Sequence, residues 1–261
     1  MPISQIMPGA APYFHRGGPV GCLCLHGFTA SPNEVLWLAQ HLAGEGHTVY
    51  APRLAGHGTY PADLARSTWM DWHASALDAY TVLRSQCEQV YICGLSMGGL
   101  LSLLVSMTEP VDGLVLMAVP ILLYGSINTA RWLKYMRPYA DHTDRTAFPI
   151  YLRQQQKKRG EPQLGRVRYN RWSMAAIEQL LRLMDEVGGR LHEVTAPMLT
   201  IYSENDATVS LDHQRMIVSR VASQDVTAKL LKESGHILTQ DVKAEIVFEL
   251  VADFIAQRST G

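Results

Sequence analysis

The sequence predicts a single α/β domain built on a mostly parallel sheet, and three observations carry this. Short β-rich runs alternate with longer helical patterns, as in a chain whose strands are joined by crossover helices. Val20–Leu25 sets Cys22 and Cys24 on one face and Leu23 and Leu25 on the other, as a strand buried on both sides requires. With 261 residues, 47% of them hydrophobic and 18% charged, the chain has ample material for one large core.

Val20–Leu25 is the first strong strand. Ser31-Pro32-Asn33-Glu34 reads as a capping box with proline at the first helical position, so a helix starts there and ends near Gly44 or Gly46. Thr48–Ala51 is a short strand. A helix from about Trp69 to Ser85 is opened by Thr68, with Asp71 three residues on. Val90–Cys93 is a strand followed by a helix from Met97 to Met107, and Gly113–Val119 is another strand. Pro197 introduces the strand Met198–Tyr202, and Val226–Lys232 is the last. Asp241 to Gln257 closes the chain as an amphipathic helix, with Ile246, Val247, Leu250, Val251 and Phe254 on one face.

Residues 121–172 break this rhythm. They hold arginines, a Gln154-Gln155-Gln156-Lys157-Lys158-Arg159 run and no clear strand, yet carry Trp132, Tyr135, Phe148, Tyr151 and Trp172. Disordered segments are poor in aromatics, and an insertion of this size in an α/β domain is usually functional. The division expected is a core of residues 1–120 and 173–261 with a cap or lid at 121–172. Ile121, Leu122 and Leu123 leave the preceding strand as an apolar run able to line a pocket. Trp132, Tyr135, Met136 and Tyr139 recur at helical spacing, so one cap helix presents an aromatic face downward, either onto a ligand or onto the main domain. Leu122, Leu123 and Trp132 are the candidate substrate-binding residues.

The net charge of −1 favours neither nucleic acid nor an acidic membrane as a general partner. The longest apolar run, Gly113 to Tyr124, is broken by Pro120 and too short to cross a bilayer, so no stable membrane insertion is expected. Residues 1–18 have no apolar core of a signal peptide, and a cytoplasmic protein is expected. Cys22, Cys24 and His26 share one strand face, but no second ligand pair of zinc spacing accompanies them. Buried thiols acting as small hydrophobes are expected there, and no metal or cofactor.

Gly94-Leu95-Ser96-Met97-Gly98 fits G-x-S-x-G, a common pentapeptide whose context gives it weight. It follows a strand and opens a helix, as a nucleophile elbow requires. A serine hydroxyl is a poor nucleophile at neutral pH and needs a base within hydrogen-bond reach. Of ten histidines, His236 directly follows the last strand, where a loop at the sheet's C-terminal edge aims it back at the elbow. The imidazole in turn needs a carboxylate, and Asp206 lies in the loop after Met198–Tyr202. Glu204 is the rival acid, two residues away. His57, in Gly56-His57-Gly58, is read as holding its loop. A tetrahedral intermediate needs two donors aimed at its oxyanion. Met97, next to the serine, offers one backbone N–H, and Phe28 in His26-Gly27-Phe28-Thr29 is chosen for the other.

Together, His26-Gly27-Phe28-Thr29, Gly56-His57-Gly58, Gly94 to Gly99, Asp206 with Val209, and Gly235-His236 resemble the bacterial carboxylesterase and monoacylglycerol lipase branch of the α/β-hydrolases. The resemblance runs from about Val20 to Phe254. It implies an α/β-hydrolase fold with a small helical cap, and cofactor-free hydrolysis of small-molecule carboxylic esters. The apolar run at Ile121, Leu122 and Leu123, lining a pocket, favours acyl chains of several carbons, so esters of short-to-medium chain and monoacylglycerols are expected. The resemblance also implies Ser96, Asp206 and His236 as a triad with Phe28 and Met97 as oxyanion donors. A thioesterase, an amidase or peptidase, a C–C hydrolase, or a receptor-like protein keeping the fold are the alternatives. Larger members begin with two extra antiparallel strands, of which residues 1–19 supply one or neither.

Overall fold

The computed structural model describes residues 5–122, 127–141 and 148–259. The elements run β1 (Tyr13–His15), β2 (Val20–Leu25), α1 (Leu36–Gly44), β3 (Thr48–Ala51), α2 (Pro61–Arg66), α3 (Trp69–Arg84), β4 (Gln89–Leu95), α4 (Met97–Ser106) and β5 (Gly113–Met117). After these come α5 (Ile127–Met136), β6 (Tyr139–Asp141), α6 (Phe148–Lys158), β7 (Arg171–Ser173), α7 (Met174–Arg190), β8 (Met198–Ser203), α8 (Leu211–Arg220), β9 (Val226–Leu231) and α9 (Ala244–Ala256).

One seven-stranded sheet, in the order β1-β3-β2-β4-β5-β8-β9, organises the chain. All its pairings are parallel except β1 with β3, so the N-terminal segment supplies one antiparallel edge strand. β2, β4 and β5 are buried along nearly their whole length, and alternate residues serve opposite layers. Leu23, Leu25, Ile92, Leu114 and Leu116 pack with residues of α3, α4 and α7. Cys22, Cys24, Cys93, Val115 and Met117 pack with α1 and α9. This is the α/β-hydrolase arrangement, a mostly parallel sheet covered on both faces. After β3 the chain returns past β2 to place β4, so the loops following β2 and β4 diverge. That is the crevice where parallel sheets bind ligands.

Local sequence accounts for most boundaries. Thr68 and Asp71 form the capping box that opens α3, and Pro61 stands in the first turn of α2. The expected box at Ser31 does not form. Residues Pro32–Val35 make a 3₁₀ turn instead, and α1 begins at Leu36. The reason is competition: Ser31 Oγ donates to Val167 O at 2.8 Å, and the Glu34 carboxylate is drawn to the Gly27 N–H at 2.9 Å. On α9, Val247, Phe248, Val251, Phe254 and Ile255 face the core, while Ile246 is exposed.

Between β5 and α7 the chain forms α5, α6 and the antiparallel pair β6–β7, so this stretch does contain strands. Its second half is fastened to the main body. Tyr169 donates its N–H to Thr29 O and its hydroxyl to Gly56 O, and Trp37 Nε1 donates to Glu161. Helix α5 packs chiefly on α7.

Candidate active site

Ser96 stands between the last residue of β4 and the first of α4, at φ 54° and ψ −119°. A non-glycine residue at positive φ costs about 1–3 kcal/mol and persists only where its surroundings hold it. Here the Ser96 N–H donates to Met117 O at 2.8 Å, and its carbonyl accepts the Gly99 N–H at 2.9 Å. Gly98 is dictated by closeness, because a Cβ there would collide with the Leu25 carbonyl.

His236 comes from the loop after β9, with Nε2 3.1 Å from Ser96 Oγ and Nδ1 2.8 Å from Asp206 Oδ2. Ser203 Oγ holds this loop by donating to Ser234 O at 2.5 Å, and the Gly235 N–H donates to the Asp241 carboxylate. Asp206 ends the turn after β8, and its other oxygen accepts the N–H groups of Thr208 at 2.7 Å and Val209 at 3.0 Å. Burial alone would push its carboxyl up, but His236 and these two donors outweigh burial and hold it below the usual carboxylate range. Glu204, the rival acid, is exposed.

The loop after β2 lies against the serine: a Cβ on Gly27 would stand 3.5 Å from Ser96 Cβ. Phe28 follows, its ring 5.9 Å from Trp72 and 6.4 Å from Trp172. Met97 opens α4, so its N–H has no partner within the helix and lies at the positive end of the helix dipole. Met97 thus adjoins Ser96 in the chain, and Phe28 lines the same cavity as Ser96.

His26 and His57 are fully buried beside this loop, with ring centroids 5.1 Å apart. His26 places Nδ1 2.9 Å from Gly27 O and accepts the Leu54 N–H on Nε2 at 3.3 Å, and burial pulls its pKa down to about 4. With both nitrogens engaged, it braces the loop. His57 places Nδ1 3.0 Å from Ala55 O and is likewise held neutral by burial. Cys22 and Cys24 are fully buried, and burial pushes the Cys22 thiol up.

Above Ser96 is a cavity of about 460 Å³. Leu122 lines it as the sequence predicts, whereas Leu123 lies outside the described residues. Trp132 does not line it. That side chain is 74% exposed, with Tyr135 and Met136 at 79% and 80%, and Tyr139 belongs to β6 rather than to the helix. The expected downward aromatic face is thus turned outward, because α7 already fills the space beneath α5. Ile177, Leu180, Leu181 and Met184, one face of α7, form the apolar wall instead, with Trp172. Their spacing of three and four was readable in the sequence.

Glu34, Arg166 and His213 also line the cavity and went unnoticed as site residues. Glu34, 6% exposed, pairs with Arg166 at 3.1 Å while accepting from Gly27, and its backbone carbonyl accepts Thr239 Oγ1 at 2.5 Å. One residue thereby joins the loop after β2, the 121–172 segment and the histidine loop. No short-range pattern announces such a contact.

A sheet of this order with serine, histidine and aspartate on three strand ends defines the hydrolase class, and similarity to known proteins narrows it. The family described as serine aminopeptidase, S33, matches residues 21–243, and the chain belongs to this α/β-hydrolase family. A thermostable monoacylglycerol lipase of Bacillus sp. (strain H-257) is 31% identical over 97% of each chain. A carboxylesterase of Bacillus subtilis (strain 168) is 27% identical, covering 94% of this chain and 95% of its own. Among solved structures, one of the metagenome-derived lipolytic enzymes LipS and LipT superposes with a TM-score of 0.85 at 27% identity, over 97% of this chain and 100% of the other. The Paleococcus ferrophilus monoacylglycerol lipase shares the fold, with a TM-score of 0.75 at 16% identity over 95% and 99%. The chain is an α/β-hydrolase of the esterase type.

Proposed function

We propose that the chain hydrolyses carboxylic esters of short-to-medium acyl chain, monoacylglycerols among them, through an acyl-enzyme on Ser96. The observation that carries the proposal is the continuous pair of contacts Ser96–His236–Asp206, at 3.1 and 2.8 Å, under a largely apolar cavity. His236 takes the Ser96 proton as Oγ attacks the ester carbonyl, and the N–H groups of Phe28 and Met97 receive the oxyanion. The imidazolium gives its proton to the departing alcohol. Water, deprotonated by His236, then attacks the acyl-enzyme, and the imidazolium returns that proton to Ser96 Oγ as the acid leaves. Asp206 keeps the tautomer correct throughout.

Residues 121–172 act in this reading as a cap that shapes the pocket. Leu122, leaving β5, and the apolar face of α7 take the acyl chain, each buried methylene being worth about 0.8 kcal/mol. Glu34 and Arg166, paired with each other, make one part of the cavity lining polar, which suits a hydroxylated alcohol such as glycerol. A peptidase reading, suggested by the family's description, needs a free carboxylate for a substrate's terminal ammonium. The pair Glu34–Arg166 and the nearby Arg168 oppose that. Among the described residues no helix is long and apolar enough to cross a membrane. Four buried cysteines without disulfides suit the reducing cytoplasm, and a net charge of −1 does not favour nucleic acid as a general partner.

A panel of esters graded in acyl length, run beside a thioester and an anilide, tests this. Multiple turnovers fastest on butyrate-to-octanoate esters are expected. A faster anilide or thioester would overturn the ester assignment.

A further inference from the structure

The chain leaving β5 for the cap is held from below by the elements that follow it. Tyr202 donates its hydroxyl to Val119 O at 2.7 Å. Two residues on, the N–H groups of Ile121 and Leu122 both point at one atom, Nδ1 of His213, at 2.7 and 3.0 Å. His213 belongs to the first turn of α8, is 1% exposed and lines the cavity over Ser96. An imidazole nitrogen that accepts two N–H bonds must present its lone pair, so the proton resides on Nε2. Among the described residues these two N–H groups have no other acceptor, and Leu122 is the cavity-lining residue they place.

We propose that His213 is a positioning residue for acyl-chain selectivity: its neutral ring clasps the Ile121–Leu122 backbone and so fixes the Leu122 wall of the pocket. This rests on the reading that the acyl chain lies against Leu122. Protonating Nδ1 would turn the acceptor into a donor facing two donors, and the clasp would open. Among the described residues, the charged groups around the ring include Asp206 in the loop before α8 and Asp212 on α8, both of which favour the cation, with His236, Arg166 and Arg168 elsewhere on the cavity wall. The strand exit presents backbone, and α7 presents Ile177, Leu180, Leu181 and Met184. Burial outweighs the two aspartates and draws the ring's pKa down, so the clasp is closed at neutral pH.

The experiment compares kcat/KM for p-nitrophenyl octanoate and acetate across pH, in wild type, His213→Asn and His213→Leu, with Leu122→Trp beside them. The ratio of the two kcat/KM values cancels every ionisation of the free enzyme that affects both substrates alike. Asparagine places an oxygen acceptor where Nδ1 was and does not titrate. In wild type the octanoate-to-acetate ratio should fall roughly tenfold as pH drops below the range of a free histidine, about the worth of two methylene contacts. His213→Asn should hold a high ratio at every pH, and His213→Leu a low one. A wild-type ratio independent of pH, or an equal fall in His213→Asn, overturns the clasp even if His213→Leu does not fold. If Leu122→Trp leaves the chain-length profile unchanged, the acyl-site reading fails and takes the clasp with it. A response at Leu122 with none at His213 sinks the clasp alone.

Discussion

The Glu34 carboxylate accepts the Gly27 N–H at 2.9 Å, one residue before the backbone N–H assigned to the oxyanion. Its second oxygen is held by Arg166, so the turn carrying Phe28 is set by a buried ion pair. Glu34→Ala is expected to lower kcat by about 10- to 100-fold with less change in KM, short of the ~10²–10³ cost of deleting an oxyanion donor. Steady-state kinetics on a single ester measure this. A change confined to KM would show that Glu34 serves binding only.

Ser96→Ala should reduce kcat by several orders of magnitude while leaving the melting transition in place, as loss of a triad serine does elsewhere. A fluorophosphonate should label wild type at one site and the variant at none. Ester turnover within tenfold of wild type, in a sample free of other esterases, would remove Ser96 from the mechanism.

Asp206→Asn should cost far more than Glu204→Gln. The amide favours the wrong tautomer of His236, with an expected loss near 10⁴-fold in kcat, whereas Glu204 is exposed and it is Asp206 that meets the imidazole. Comparable losses at the two positions would reverse the assignment.

Asp206 also links stability to pH. Its carboxyl is held below the ordinary range in the folded chain, so at acid pH the unfolded chain binds the extra proton. The stabilisation is complete above the ordinary carboxylate range and fades as pH falls toward the folded value. Between neutral pH and about pH 3, Tm of wild type should therefore drop more than that of Asp206→Asn. Identical drops would mean that Asp206 contributes nothing to the acid limb.

Trp132→Ala should leave the chain-length profile as it is, because the indole is 74% exposed and off the cavity. Trp172→Ala, on the cavity wall beside Phe28, should shift it. The same ester panel reads both, and the reverse pattern would place the acyl site beneath α5.

The strands and the grouping of Ser96, Asp206 and His236 were legible because each rests on local signals, namely apolar runs, a glycine-tight turn and loops at successive strand ends. α7 was equally legible from Ile177, Leu180, Leu181 and Met184, but an arginine-rich approach hid it. Glu34 was misread for a physical reason. Its spacing from Ser31 fits a helix cap, yet a partner 132 residues away, Arg166, and the nearby Gly27 N–H claim the carboxylate. The outward face of Trp132 followed the same logic, since helical periodicity shows that a face exists and only packing decides which way it points.

Tyr169 donates its N–H to Thr29 and its hydroxyl to Gly56, while Arg166 holds Glu34. Residues 166–169 are thus the ceiling of the pocket and the scaffold of the turn that bears Phe28. Lifting that ceiling to admit substrate would slacken the catalytic turn in the same stroke.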